Sequence, residues 1–100
     1  MKGVKYDSGK PRWSLLPLDA IEWVVKVLTI AAKEKYEDDN WKKVDNSIIR
    51  YQDALWRHIA AHKKGEWLDK EDKMPHLAHA LCCLIFWFWH ELKKRKLVNK

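Results

Sequence analysis

Arg57 to Trp89, RHIAAHKKGEWLDKEDKMPHLAHALCCLIFWFW, places four of the chain's five histidines and a run of acids between two apolar helical stretches. The stretch from Tyr51 to Lys63 reads as a helix, because at about 100° per residue Tyr51, Leu55, His58 and His62 fall on one stripe. Gly65 is placed to end it as a C-cap glycine. Pro75 suits the first position of the next helix, on which His76, His79, Cys83 and His90 fall within about 60° of one another. Two histidine-bearing stripes are therefore expected to face each other.

The connector between them, Glu66 to Asp72, offers the carboxylates of Glu66, Asp69, Glu71 and Asp72. Imidazole nitrogen with carboxylate oxygen is a donor mixture that divalent metals accept. His58, Asp69, His76 and His79 are the candidate metal ligands. The competing reading is structural: His58 and His76 satisfy hydrogen bonds in the core, and the acids form a solvated loop that favours the N-terminus of the following helix.

With 100 residues, 47% hydrophobic and 34% charged, the chain is expected to form one domain, residues 1–100, burying about two thirds of its extended surface. A formal charge of +6 favours an anionic partner. The lysines are scattered or gathered at the ends rather than aligned on a helix face, so nucleic acid is not the expected partner. Seven tryptophans are read mainly as core, with a ligand pocket or subunit interface as the alternative for some. Cys82 and Cys83 are neighbours in a helical pattern and point about 100° apart, a poor pair for a disulfide. A reducing cytoplasm fits them. No signal peptide is read, and the apolar run from Leu77 to Trp89 is too short to span a bilayer.

Taken in order, residues 1–17 form an ordered arm, kept from helix by Gly3, Gly9, Pro11 and Pro17. Its Lys10, Arg12 and Trp13 either hold phosphates and stack on a base, or Trp13, Leu15 and Leu16 pin the arm to the body. Residues 18–37, 47–64 and 75–95 are the expected helices, the second capped by Asn46 or Ser47. Between the first two, Lys35, Tyr36, Asn40 and Trp41 form either a recognition loop or a charged linker. The fold class is all-α, a compact bundle of three main helices. The last helix is apolar nearly all round, which calls for burial against a second copy of the chain or a central place in the fold. A homo-oligomer is expected.

Neither GxxxxGK[ST] nor GxGxxG is present, and His58 and His62 have the spacing of a zinc-protease helix without its glutamate. The stretches KYDSGKPRWSLLP, KEKYEDDNW and RHIAAHKKGEWLDKEDKMPHLAHALCC together resemble, in order and spacing, the N-terminal domain of the phage-type dATP/dGTP diphosphohydrolases. The resemblance covers nearly the whole chain. It implies a small helical enzyme that cleaves a purine deoxynucleoside triphosphate to monophosphate and pyrophosphate with Mg²⁺ or Mn²⁺, a reaction similar to that of the MazG-like all-α enzymes. It also implies the host cytoplasm as location, if the chain is phage-encoded. The matching positions are Lys5, Tyr6, Asp7, Gly9, Lys10, Pro11 and Trp13 in the arm, Lys35, Tyr36, Asn40 and Trp41 in the loop, and Arg57, His58, Gly65, Glu66, Asp69, His76 and His79 in the centre.

On this reading Glu66 and Asp69 are catalytic, and His58, His76 or His79 join one of them around the ion. Lys10, Arg12, Lys35 and Arg57 offset triphosphate charge, and Trp13, Tyr36, Asn40 and Trp41 complete the nucleotide-binding set. The spacing of Glu34/Glu37 and Glu66/Asp69 mimics the ExxE and ExxD carboxylates of MazG-like enzymes, a match that fourteen acids produce readily by chance. The sequence departs from the family pattern where Ala31 or Ala32 replaces a glycine before the KY pair, where Cys83 replaces an asparagine, and where a longer C-terminal part would follow. The last departure opens the alternative of a non-catalytic module that sequesters a nucleotide immune signal.

Overall fold

The computed structural model describes residues 2–98; Met1, Asn99 and Lys100, at the ends of the expected domain, lie outside the described residues. Three helices carry the fold: α1 (Leu18–Glu34), α2 (Ser47–Lys63) and α3 (His76–Lys94). Single 3-10 turns at Trp13–Leu15 and Asn40–Lys43 interrupt the arm and the α1–α2 connection. The extended backbone near the α2–α3 connector amounts to one isolated antiparallel bridge, Leu68 to Pro75.

Helix α3 is the central element and packs against both α1 and α2. At about 100° per residue Ala78 and Cys82 share one side of α3, while His76, Ala80, Cys83 and His90 share the other. The first side meets Val24 and Val27 of α1, with Met74 completing the cluster. Cys82 Sγ lies 3.7 Å from the Val24 carbonyl, which its thiol faces as donor. The second side faces α2, where Tyr51 stacks on His90 and His58 meets His76. Small residues on both sides let α3 run close to its neighbours, and this is why a helix apolar nearly all round fits between two others.

A third side remains open. Leu77, Leu84, Ile85 and Phe88 are all exposed, as are Ile49 and Trp56 on α2. The tryptophans do not fill the core as expected: Trp13, Trp23, Trp56 and Trp67 are exposed, and the core is built from valine, alanine, methionine and cysteine. The arm is not pinned to the body either, since Trp13 is 79% and Leu15 68% exposed. Its order is local, from a turn in which the Lys10 N–H donates to Asp7 O, with Gly9 at φ 80°, and from the 3-10 turn that follows.

Helix α1 stops at Glu34 rather than Glu37, because the N–H groups of Lys35 and Tyr36 both close on the carbonyl of Ala31 and use up the last turn. At the start of α2, Asn46 occupies the N-cap in left-handed conformation (φ 52°) without a side-chain cap bond. The end of α2 is a complete Schellman motif: Glu66 N–H donates to Ala61 O and Gly65 N–H to His62 O, with Gly65 at φ 97°. That closure turns the chain sharply and points Glu66 back toward α3. Among the described residues no helix is long and apolar enough to cross a membrane.

Candidate functional site

His58 comes from the middle of α2, His76 and His79 from the first turn of α3, and the carboxylates from the connector that joins the two helices. His76 is buried, at 5% exposure. Its Nε2 lies 2.6 Å from Glu66 Oε1 and its Nδ1 lies 2.8 Å from His58 Nδ1. A contact that short to a carboxylate places the His76 proton on Nε2, so Nδ1 presents a lone pair toward His58. Asp69 Oδ2 stands 3.9 Å from both of those Nδ1 atoms. One turn along α3, His79 Nε2 lies 2.7 Å from Asp72 Oδ2 but off the line a hydrogen bond needs, leaving this buried nitrogen without a hydrogen-bond partner. The His58 and His79 rings stack at 4.6 Å and 9°.

The connector is held by its own backbone. Asp69 N–H donates to Met74 O, Lys73 N–H donates to Asp69 O, and the bridge from Leu68 to Pro75 closes the loop. Lys73 takes the left-handed region (φ 62°) to make the turn. Glu71 N–H donates to Asp69 Oδ1 and Met74 N–H to Asp72 Oδ1, which fixes both carboxylates against rotation. The loop therefore positions its acids rather than merely solvating them.

Burial, reinforced by the nearby His79 and His76, pushes His58 down to about 4. It is neutral at physiological pH and one ring nitrogen is open as a ligand. The bond to His76 holds the Glu66 carboxyl below its usual range. His58, Asp69 and His76 form one group able to hold a cation, and Asp69, Asp72 and His79 a second. Within each group the ligand atoms lie within 4.8 Å of one another. Imidazole nitrogens with carboxylate oxygens, and Glu66 behind His76 as an orienting carboxylate, suit a first-row divalent ion.

The cluster borders a cleft of about 870 Å³ between the C-terminal end of α1, the loop after it, α2 and α3. Lys35, Tyr36, Asn40, Trp41 and Arg57 all line it, together with His58, Asp69 and His79. Lys10, Arg12 and Trp13 do not, because the arm lies open to solvent, and Glu66 and His76 sit behind the lining. Trp41 gives one face to Phe86 (4.5 Å, 12°), and its carbonyl lies 2.9 Å from His90 Nε2, which seats the loop on α3. Lys35 is paired with Glu71 across the mouth. Glu34 and Glu37 line the cleft but belong to neither cation group, and Glu37 is paired to Lys43 at 3.5 Å. His62 and His90 share the histidine stripes without joining the cluster: His62 tilts against Trp67, and His90 is taken by Trp41.

From the sequence Asp72 stands out only as one of the connector's four carboxylates, and Arg50 does not stand out at all. Asp69 and Asp72 are three residues apart, as His76 and His79 are, and this matched spacing was the available signal for Asp72. Arg50 lines the cleft but also reaches the Asp45 carbonyl, and sequence alone marks it only as an exposed basic residue.

The family model described as dATP/dGTP diphosphohydrolase, N-terminal, matches residues 1–100. The chain belongs to this dATP/dGTP diphosphohydrolase N-terminal family. A protein of Salmonella phage PMBT28 named dATP/dGTP diphosphohydrolase is 38% identical over 89 residues, which are 89% of this chain and 30% of that protein. The chain thus spans about a third of the length of this relative. No solved structure matches the present chain. Of the residues that match the family pattern, those of the loop together with Arg57, His58, Asp69 and His79 converge on the cleft, Glu66 and His76 stand behind it, and the arm stands apart.

Proposed function

We propose that this chain is a metal-dependent nucleotide pyrophosphohydrolase that cleaves dATP or dGTP to the monophosphate and pyrophosphate. The observation that carries the reading is a His and Asp cluster bordering a cleft that also holds a basic and aromatic set. Supporting it, the relative from Salmonella phage PMBT28 is named for that activity. The cleft volume lies within the range of small-ligand sites, about 300–1,000 Å³. Carboxylates of Glu34, Asp38, Asp53, Asp69 and Asp72 outnumber Arg50 and Arg57, the lining cations other than the paired Lys35. A bare triphosphate would be repelled there, so charge balance calls for divalent cations, Mg²⁺ or Mn²⁺, with the substrate.

When bound, such an ion would polarise the α-phosphate and make water a stronger nucleophile. Asp69, which lines the cleft and belongs to both cation groups, would hold the ion beside the substrate. Glu66, bound to His76 Nε2, would orient the His76 ring so that Nδ1 points toward the ion, which makes it a positioning residue, while Arg57 would offset charge developing on the phosphates. Tyr36 and Trp41, which both line the cleft, would take the base. The open apolar side of α3 supports assembly as a homo-oligomer, and Phe88→Lys is expected to shift the chain to monomer in analytical ultracentrifugation.

A second reading is a binding module that sequesters an unaltered nucleotide, which the aromatic and basic residues lining the cleft would serve equally well. One experiment separates the two: incubate the purified chain with deoxynucleoside triphosphates and cyclic dinucleotides, with and without Mg²⁺ or Mn²⁺, and analyse the solution and bound fractions by mass spectrometry. Monophosphate and pyrophosphate at many turnovers, only with metal and at least 100-fold slower in Asp69→Asn, are expected. Stoichiometric retention of one intact nucleotide, without product, would overturn the enzymatic reading.

A further inference from the structure

We infer that the chain binds two divalent cations side by side, bridged by Asp69, with His58 and His76 on one and Asp72 and His79 on the other. This rests on the reading above that the cluster takes a divalent ion, and sets how many. The donors fall into two triads that have Asp69 in common, rather than into one shell. His58 and His79 stack in near-parallel planes, so their nitrogens lie side by side instead of converging on one point.

The connector prepares both positions in the same way. Asp69 and Asp72 each commit Oδ1 to a backbone N–H of the loop, from Glu71 and Met74 respectively. Each leaves Oδ2 toward the imidazoles, at 3.9 Å from the His58 and His76 Nδ1 atoms for Asp69 and at 2.7 Å from His79 Nε2 for Asp72. At the first position the His76 lone pair is fixed by Glu66. At the second, His79 Nε2 is buried and has no hydrogen-bond partner, a cost that a cation held with Asp72 would remove.

Charge points the same way. Glu66, Asp69 and Asp72 bring three carboxylates to the cluster, and Lys70, the lysine paired with Glu66 at 3.7 Å, stands out in solvent. One dication leaves that set negative. Two make it positive, the sign a polyphosphate in the cleft requires. Paired ions about 3.5–4 Å apart are the arrangement that can hold both the attacking and the leaving oxygen of an in-line displacement.

The test is Mn²⁺ alone titrated into the full chain by calorimetry, with low-temperature electron paramagnetic resonance of the loaded protein and circular dichroism to establish that each variant is helical. Two Mn²⁺ per chain with a spin-coupled spectrum are expected for the parent. One per chain, uncoupled, is expected for Asp72→Asn and for His76→Gln, and weakened binding at both positions for Asp69→Asn. One Mn²⁺ per chain in the parent would overturn the pair and leave the metal-dependent reading standing, whereas none would overturn both. Loss of all Mn²⁺ from folded Asp72→Asn and folded His76→Gln alike would show one shared ion. The parent's stoichiometry decides the matter even where a variant does not fold.

Discussion

Acidification of the metal-free protein provides a direct test of the packing around His58. Burial and the neighbouring His79 and His76 push this imidazole from its ordinary 6.5 down to about 4, and its side chain is 21% exposed. Between those values the unfolded chain takes up a proton that the folded chain refuses, so stability rises with pH across this window and falls as pH is lowered. At about 1.4 kcal/mol per pKa unit, the difference corresponds to a loss of about 3 kcal/mol between pH 6.5 and pH 4. Because two other imidazoles supply part of the depression, the loss belongs to the trio His58, His76 and His79, with Asp69 opposing it and Arg57 adding to it. Glu66 acts lower on the scale: its carboxyl is held below its ordinary 4.5, so its contribution is present above that value and is lost as pH falls further. The assay is urea unfolding in EDTA from pH 8 to pH 3.5, compared with His58→Gln. The parent should lose stability steeply from pH 6.5 downward and the variant much less. A parent whose unfolding midpoint is unchanged between pH 7 and pH 4.5, or a variant with the same slope, would refute the reasoning.

Three further outcomes are expected. Gly65→Ala should cost about 1 kcal/mol in urea unfolding, because the added Cβ meets open space and only the backbone at φ 97° objects. Trp41→Ala should lower stability by about 2–3 kcal/mol through loss of its stack on Phe86 and its edge contact with Trp89; an unchanged melting temperature with lost nucleotide affinity would instead assign the ring to the ligand. Burial pushes Cys82 up to about 12 and Cys83 up to about 11, so iodoacetamide at pH 8 should label the folded chain on the order of 100-fold more slowly than the urea-unfolded chain.

The histidine cluster was legible because helical spacing is local information: a step of about 100° puts His58 on one stripe and His76 and His79 on another, and Gly65 with Pro75 announces the turn that brings them together. The same spacing promised too much for His62 and His90, since sharing an angle does not mean sharing a height. His90 sits 14 residues beyond His76, about 21 Å along the axis, and serves Trp41 instead. Tryptophan burial was not legible. Periodicity marks an apolar face but not what covers it, and the open faces carrying Trp56 and Phe88 look, in sequence, like the covered face carrying Val24 and Val27. The arm failed for a related reason: Trp13, Leu15 and Leu16 are apolar enough to pin a segment, yet within this chain they find no surface to meet.

The Schellman closure at Gly65 joins α2 to a connector that leads directly into α3, so every residue of the candidate cation cluster lies between His58 and His79. Contacts so close along the chain close small loops and lose little chain entropy in forming. The cluster is therefore placed to assemble early in folding, ahead of the docking of α1. Hydrogen exchange should find this hairpin among the most protected parts of the molecule, a contiguous unit whose order does not wait on the rest of the chain.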